Sequence, residues 1–245
     1  GKSLLNGGML AIESPGSPPI MEKRYYDNQS HLVSFNNLWK IKEHQLNVNL
    51  SYLNDKEKKN SASKTEYYLP ESDILTIQET VSSRSYTNNL NADIQLNANK
   101  SDYYLNNLLK FDGSWDRERG DAFTTQNIQQ IVKKPEIALS NTFKWIKNYE
   151  STSLSVESFN GYSTLPHTLT VEPLLYPDLF ETDDYTGTSQ RLDQTQFLSN
   201  TKISGGYKKG NWHQDYTLAF EADLRQMNSQ LMPLEYCASL PDSLR

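Results

Sequence analysis

The chain has 245 residues, enough for one or two domains, but only 36% of them are apolar and the mean hydropathy is -0.72, low for an enzyme built on an ordinary core. Fifteen Tyr, eight Phe and four Trp are nevertheless too many aromatics for a disordered chain. The net charge of -6 and pI near 5.3 leave no basic patch, which argues against nucleic acid as a partner.

Hydrophobicity alternating with period two is the dominant signal, and it marks strands with two unlike faces. Four hairpins are expected in chain order. In the first, Val33, Phe35, Trp39 and Ile41 share one face, Glu43-His44-Gln45 turns the chain, and Leu46, Val48, Leu50 and Tyr52 then oppose Asn47, Asn49 and Ser51. In the second, Leu90, Ala92, Ile94 and Leu96 oppose Asn91, Asp93, Gln95 and Asn97. After the turn "NKSD", Tyr103, Leu105, Leu109, Phe111 and Trp115 oppose polar neighbours. The third is "EIALSNTFKWI", turn "KNYE", then "STSLSVESF". The fourth is "QFLSNTKISGGY", turn "KKGN", then "WHQDYTLAFEADLR". That last strand sorts Trp212, Tyr216, Leu218, Phe220 and Leu224 from His213, Asp215, Glu221, Asp223 and Arg225.

Within each hairpin the turn is short, while between hairpins the chain is expected to wander through long polar loops, whose parts next to the strands, such as "TEYYL" and "ILTIQET", would extend the sheet. Short turns at one end and long loops at the other are the connectivity of an outer-membrane barrel. A soluble sandwich has short connections at both ends. Aromatics stand beside the short turns (Trp39, Tyr103, Trp145, Tyr207, Trp212) and near the far ends (Tyr52, Trp115). Roughly 9–11 residues separate the two sets, the length of a tilted strand crossing a bilayer. These seven residues are expected to form aromatic girdles at the two membrane–water interfaces, with the apolar faces on lipid and the polar faces on a wet lumen.

The segments "LNGGMLAIESPGSPPI", "RYYDNQSHLVSFNNLWKIKEHQLNVNLSYLNDK" and "YYLNNLLKFDGSWDRERGD" resemble TonB-dependent outer-membrane receptors, in particular the branch with an upstream carboxypeptidase-regulatory-like domain. The likeness runs over essentially the whole chain. It implies energy-coupled uptake of a large or scarce nutrient in a Gram-negative bacterium, through a plugged barrel of which this chain supplies the N-terminal part. Residues 1–13 would end the plug, 14–30 link it to the barrel, and 31–245 form barrel strands with long extracellular loops. The expected partners are outer-membrane lipid and the TonB energy-coupling system acting through the missing plug, with a surface lipoprotein as a further candidate. By itself the chain is expected to be a piece of something longer and to transport nothing.

The expected fold is therefore all-β: about eight antiparallel strands in hairpins forming part of a transmembrane barrel, either an open curved sheet or a small closed barrel. No catalytic residue, cofactor or metal is assigned, and substrate-binding residues are not named. Cys237 is the only cysteine, and the four histidines show no metal spacing. Asp215, Glu221 and Asp223 on one strand suggest a glycosidase carboxylate pair only weakly. Asp183-Asp184 and the run Asp116 to Arg119 are read as solvated loop tips. Tyr67, Tyr68, Tyr162, Tyr176 and Tyr185 are placed in or near loops, where their rings would suit stacking on sugars. The alternative from another class is a secreted or surface-anchored soluble β protein that binds glycans.

Overall fold

In a computed structural model, the protein forms a single antiparallel sheet; the structure describes residues 10–15, 27–68, 74–175, 178 and 185–235. The eight strands are β1 (Asp27–Ile41), β2 (His44–Tyr68), β3 (Ile74–Asn99), β4 (Tyr103–Phe123), β5 (Asn127–Asn148), β6 (Thr152–Glu172), β7 (Tyr185–Lys209) and β8 (Trp212–Glu235). They pair in sequence order, each with the next. β1 and β8 are not paired to one another, so the sheet is open. All eight expected strands are present, and the fold is all-β among the described residues.

The turns at one end are as short as the sequence suggests: residues 42–43, 100–102, 149–151 and 210–211. Lys42 and Gly210 take left-handed φ values of 56° and 59° there. At the other end the extension of the sheet expected next to the strands is present over residues 65–68 and 74–80, and it goes further than expected. Most of the residues assigned to long loops belong to strands, so that β2 runs to Tyr68, β3 starts at Ile74, and β4 turns into β5 across residues 124–126. β1 likewise begins at Asp27, with its first residues paired to Lys58, Glu57, Lys56 and Asp55. These extensions carry apolar residues such as Ile74, Ile77, Val81 and Ile131, but not in the sustained alternation that a sequence reading depends on.

Register fixes the two faces. Trp39, Leu46, Leu96, Phe143 and Phe220 lie on one line of Cα partners across the sheet, together with Asn107, Ser158 and Thr201. On the opposite face run Asn47, Gln95, Thr142 and Asn200. Most of the buried strand residues, including Val81, Val132, Ala138, Ser163, Leu165 and His167, belong to this second face. Crowding on one side is what a curled sheet imposes, because side chains converge on the concave side and splay on the convex one. The convex face carries the apolar side chains and leaves them uncovered: Leu218 is 72% and Phe220 60% exposed. No second sheet packs on it among the described residues.

The same line measures the stagger. It starts at Trp39, beside the short turns, and ends at Phe220, eight residues above Trp212, which is also beside the short turns. Eight residues at ~3.3 Å rise about 26 Å, against about 34 Å for the seven interstrand steps, giving a tilt of about 38° between the strands and the normal to the row of turns.

One interruption inside the sheet is matched on both sides. β5 and β6 keep the same register above and below Lys134–Glu136, which sets Pro135 opposite Pro166. β5 stays paired to β4, and β6 to β7, at these prolines. Each proline thus turns its missing N–H toward the other, and no ladder donor is stranded. A side-chain bond crosses the gap instead: His167 Nε2 and Glu136 Oε1 are 2.9 Å apart, with the imidazole buried. His167→Ala should therefore cost about 2–3 kcal/mol, from a cavity plus an orphaned carboxylate. Urea titration of the refolded protein checks this, with exposed Lys64→Ala as the near-neutral reference.

Candidate functional site

The concave face is the candidate site, because it gathers the polar side chains of all eight strands on one surface. The alternation that puts Leu, Ile and Phe on the convex side puts Asn49, Asn91, Asp93, Lys110 and Lys144 here. Charges pair across neighbouring strands: Lys144 with Glu157 at 2.6 Å, Lys134 with Glu118 at 3.2 Å, and Lys110 with Asp93 at 3.8 Å. Gln196 Nε2 donates to Asp223 Oδ1 at 3.1 Å. Cross-strand ion pairs thus line this face, while the buried Asp116 Oδ1 has no hydrogen-bond partner among the described residues.

A short strap crosses this face on the long-loop side. Leu10 packs with Val132 and Leu192, and Ile12 and Leu169 join them. Val132 has 0% of its surface exposed. The Glu13 N–H donates to Gln130 Oε1 at 2.6 Å. A pocket under Ile12 and Ser14 is lined by Glu57, Lys59, Ser83 and Glu118. From Gly120 on β4 to Leu192 on β7 the strap crosses three interstrand steps, about 14 Å, which six residues of extended chain reaching about 20 Å can span. Gly120 makes the crossing possible, since a Cβ there would stand 3.0 Å from the Glu13 carbonyl oxygen and 3.1 Å from Ile12 Cδ1.

The seven aromatics singled out from the sequence all lie on the convex face. Trp39, Tyr103, Trp145, Tyr207 and Trp212 follow the tilted row beside the short turns, and Tyr52 and Trp115 stand toward the far end. Trp212, on the sheet edge, is 77% exposed. Tyr103 is held by its surroundings: its hydroxyl lies 3.0 Å from His44 Nε2, and Lys100 and Lys147 approach its ring at 5.6 and 6.0 Å from the centroid. Lys147 also bonds Asp102 in the adjacent turn, and this hydrogen bond holds the Asp102 carboxyl below the usual carboxylate range. The far row contains aromatics that the sequence reading did not assign to it. Tyr86, Tyr162 and Phe197 face outward near the level of Trp115. Only the register between strands could reveal that shared height.

Several single-residue expectations change. Tyr162 lies within β6 on the convex face, opposite Leu139 and Phe197, and not in a loop. Tyr67, Tyr68 and Tyr185 stand at strand ends, which agrees with their expected place in or near loops. The run Asp116 to Arg119 is strand and not a loop tip: Asp116 and Glu118 face inward, Arg117 and Arg119 outward. Asp215, Glu221 and Asp223 line the concave side of edge strand β8, opposite Gly206, Asn200 and Leu198. Tyr176, Asp183, Asp184 and Cys237 lie outside the described residues. No group of three or more His, Cys, Asp or Glu side chains suits a metal ion among the described residues. The strap anchors Val132, Leu169 and Leu192 were missed because an apolar residue at an inward position looks like noise in an alternating pattern.

Compared with known proteins, the chain matches no protein-family model and no curated protein sequence.

The strap can be fixed chemically. A Cβ at Gly120 stands 3.6 Å from Ile12 Cβ, inside the ~3.5–4.5 Å range of disulfides. With Cys237 replaced by Ser, the pair Ile12→Cys and Gly120→Cys should close a disulfide spontaneously, read by mass spectrometry after thiol capping. Free thiols under mild oxidation would show that the strap does not rest on β4.

Proposed function

We propose that this chain contributes eight strands to the wall of an outer-membrane receptor that imports a nutrient by TonB-dependent energy coupling. The observation that carries the reading is the tilted aromatic row on an uncovered apolar face. Strands of membrane barrels tilt by ~35–45°, and the stagger between Trp39 and Trp212 gives about 38°. On β4, twelve residues separate Tyr103 from Trp115. At ~3.3 Å each and this tilt, they span about 31 Å along the normal, against a hydrocarbon thickness of ~30 Å. Between the rows the convex face is largely aliphatic and aromatic, as lipid tails require.

In this reading the concave face is part of the lumen and the polar strand extensions stand outside the cell. Cargo is recognised on the extensions and inner wall. The motor in the inner membrane acts through the plug, and a surface lipoprotein is a candidate partner at the outer rim. The chain carries out no bond chemistry; its work is recognition and passage. β1 and β8 each present an unpaired edge, which the remaining strands of the barrel would cover.

Arginine scanning on β8 tests the reading. Leu218→Arg and Phe220→Arg point at the bilayer middle and should each cost about 2–4 kcal/mol when the full-length receptor folds into phospholipid vesicles. Thr217→Arg and Ala219→Arg point inward and should cost less than about 1 kcal/mol. Equal costs on both faces, or a full-length protein recovered from water without detergent, would refute the membrane assignment.

A further inference from the structure

The convex belt is apolar on β2 and β3, but Asn37 interrupts it on β1 and further polar side chains cross it on β4–β7. Asn107, Asn141, Ser158, Asn160, Ser199 and Thr201 all face outward between the two aromatic rows. Four of them satisfy one another. Asn160 Nδ2 donates to Ser158 Oγ at 3.0 Å, Ser199 Oγ donates to Asn160 Oδ1 at 2.8 Å, and the Ser158 and Thr201 hydroxyls share a bond of 2.9 Å.

Asn107 and Asn141 are different. A single bond joins them, from Asn141 Nδ2 to Asn107 Oδ1 at 2.8 Å. The NH2 of Asn107 and the carbonyl of Asn141 have no further partner among the described residues. Turning both amides over exchanges their roles and still leaves one NH2 and one carbonyl unpaired. Water would satisfy them, but hydrocarbon would not, and an orphaned amide in lipid is costly. A polar group that persists inside such a belt calls for a partner.

The geometry says what kind. Asn141 sits opposite Leu109, one strand across from Asn107 and two residues further toward the long-loop end. That diagonal makes about 36° with the strand axis. Its height above the lower aromatic row grows twice over, once from the stagger between β4 and β5 and once from the two residues. With the strands tilted by about 38°, the two amides are stacked almost parallel to the membrane normal. Two upright barrels touch along one line parallel to their axes, and this stack lies along such a line. An asparagine amide is also self-complementary, because it both donates and accepts. Asn107 meeting its own copy across a two-fold axis normal to the membrane closes a reciprocal amide pair, and Asn141 does the same.

We propose that the Asn107–Asn141 stack marks the contact line of a symmetric dimer of this protein, formed by a second copy docking wall to wall within the bilayer. The inference rests on the membrane reading above. Its test uses the full-length receptor in native membranes, with Cys237 replaced by Ser. Asn107→Cys is oxidised there in parallel with Val48→Cys, which faces outward from β2, away from the stack. Disulfide-linked dimers should form at least tenfold more from Asn107→Cys. In light scattering of detergent extracts, the double variant Asn107→Leu/Asn141→Leu should move the mass from dimer to monomer. If that variant fails to insert, the cross-linking comparison still decides. A monomeric parent protein in membrane extracts, or equal cross-linking from β2 and β4, overturns the dimer and leaves the membrane reading standing. A parent protein soluble without detergent overturns both.

Discussion

The unbroken antiparallel register holds the rest of this structure in place. Side chains alternate faces residue by residue, so one extra residue between Trp39 and Phe220 would turn every later side chain of that strand to the wrong side. The ladder crosses the apolar belt without such a slip. Among the described residues its only register shift lies at Tyr185 and Gly187, at the far end of β7 and beyond the aromatic rows. The ladder skips Thr87 and Asn88 between β3 and β4 without losing register, and at Pro135 and Pro166 the two residues without an N–H are placed against each other while His167 bridges the gap.

From that register follow two surfaces with different demands. On the convex surface the apolar side chains have no second sheet packed on them among the described residues and stand exposed. The concave surface is crowded, and there small residues and cross-strand ion pairs such as Lys134 with Glu118 reduce the cost of convergence. The strap obeys both conditions. It places Leu10 and Ile12 on the few apolar inward side chains available, and it passes over Gly120, where no side chain blocks it. Polar ordering inside and aliphatic exposure outside are two consequences of one alternating chain.

The outward amides show the same logic in the negative. Along the belt a polar residue is acceptable when its neighbours complete its hydrogen bonds, as Ser199 and Asn160 do. Asn107 and Asn141 complete one bond and leave two groups open.

Much of this was written in the sequence. The period of two between Leu46 and Tyr52, or between Trp212 and Leu224, names a strand and divides its faces, because alternation is a property of neighbouring residues along one chain. The four tight turns followed from the same local reading to within a residue or two. The long-loop end was legible only in part, since Lys56 to Tyr68 and Arg117 to Phe123 are strands without a sustained apolar alternation. Height across the sheet was equally illegible. That Tyr162 stands near the level of Trp115, that Leu10 reaches Val132, and that Asn141 stacks on Asn107 depend on stagger between strands far apart in sequence, and stagger is set by hydrogen bonds between strands that no single stretch of residues contains.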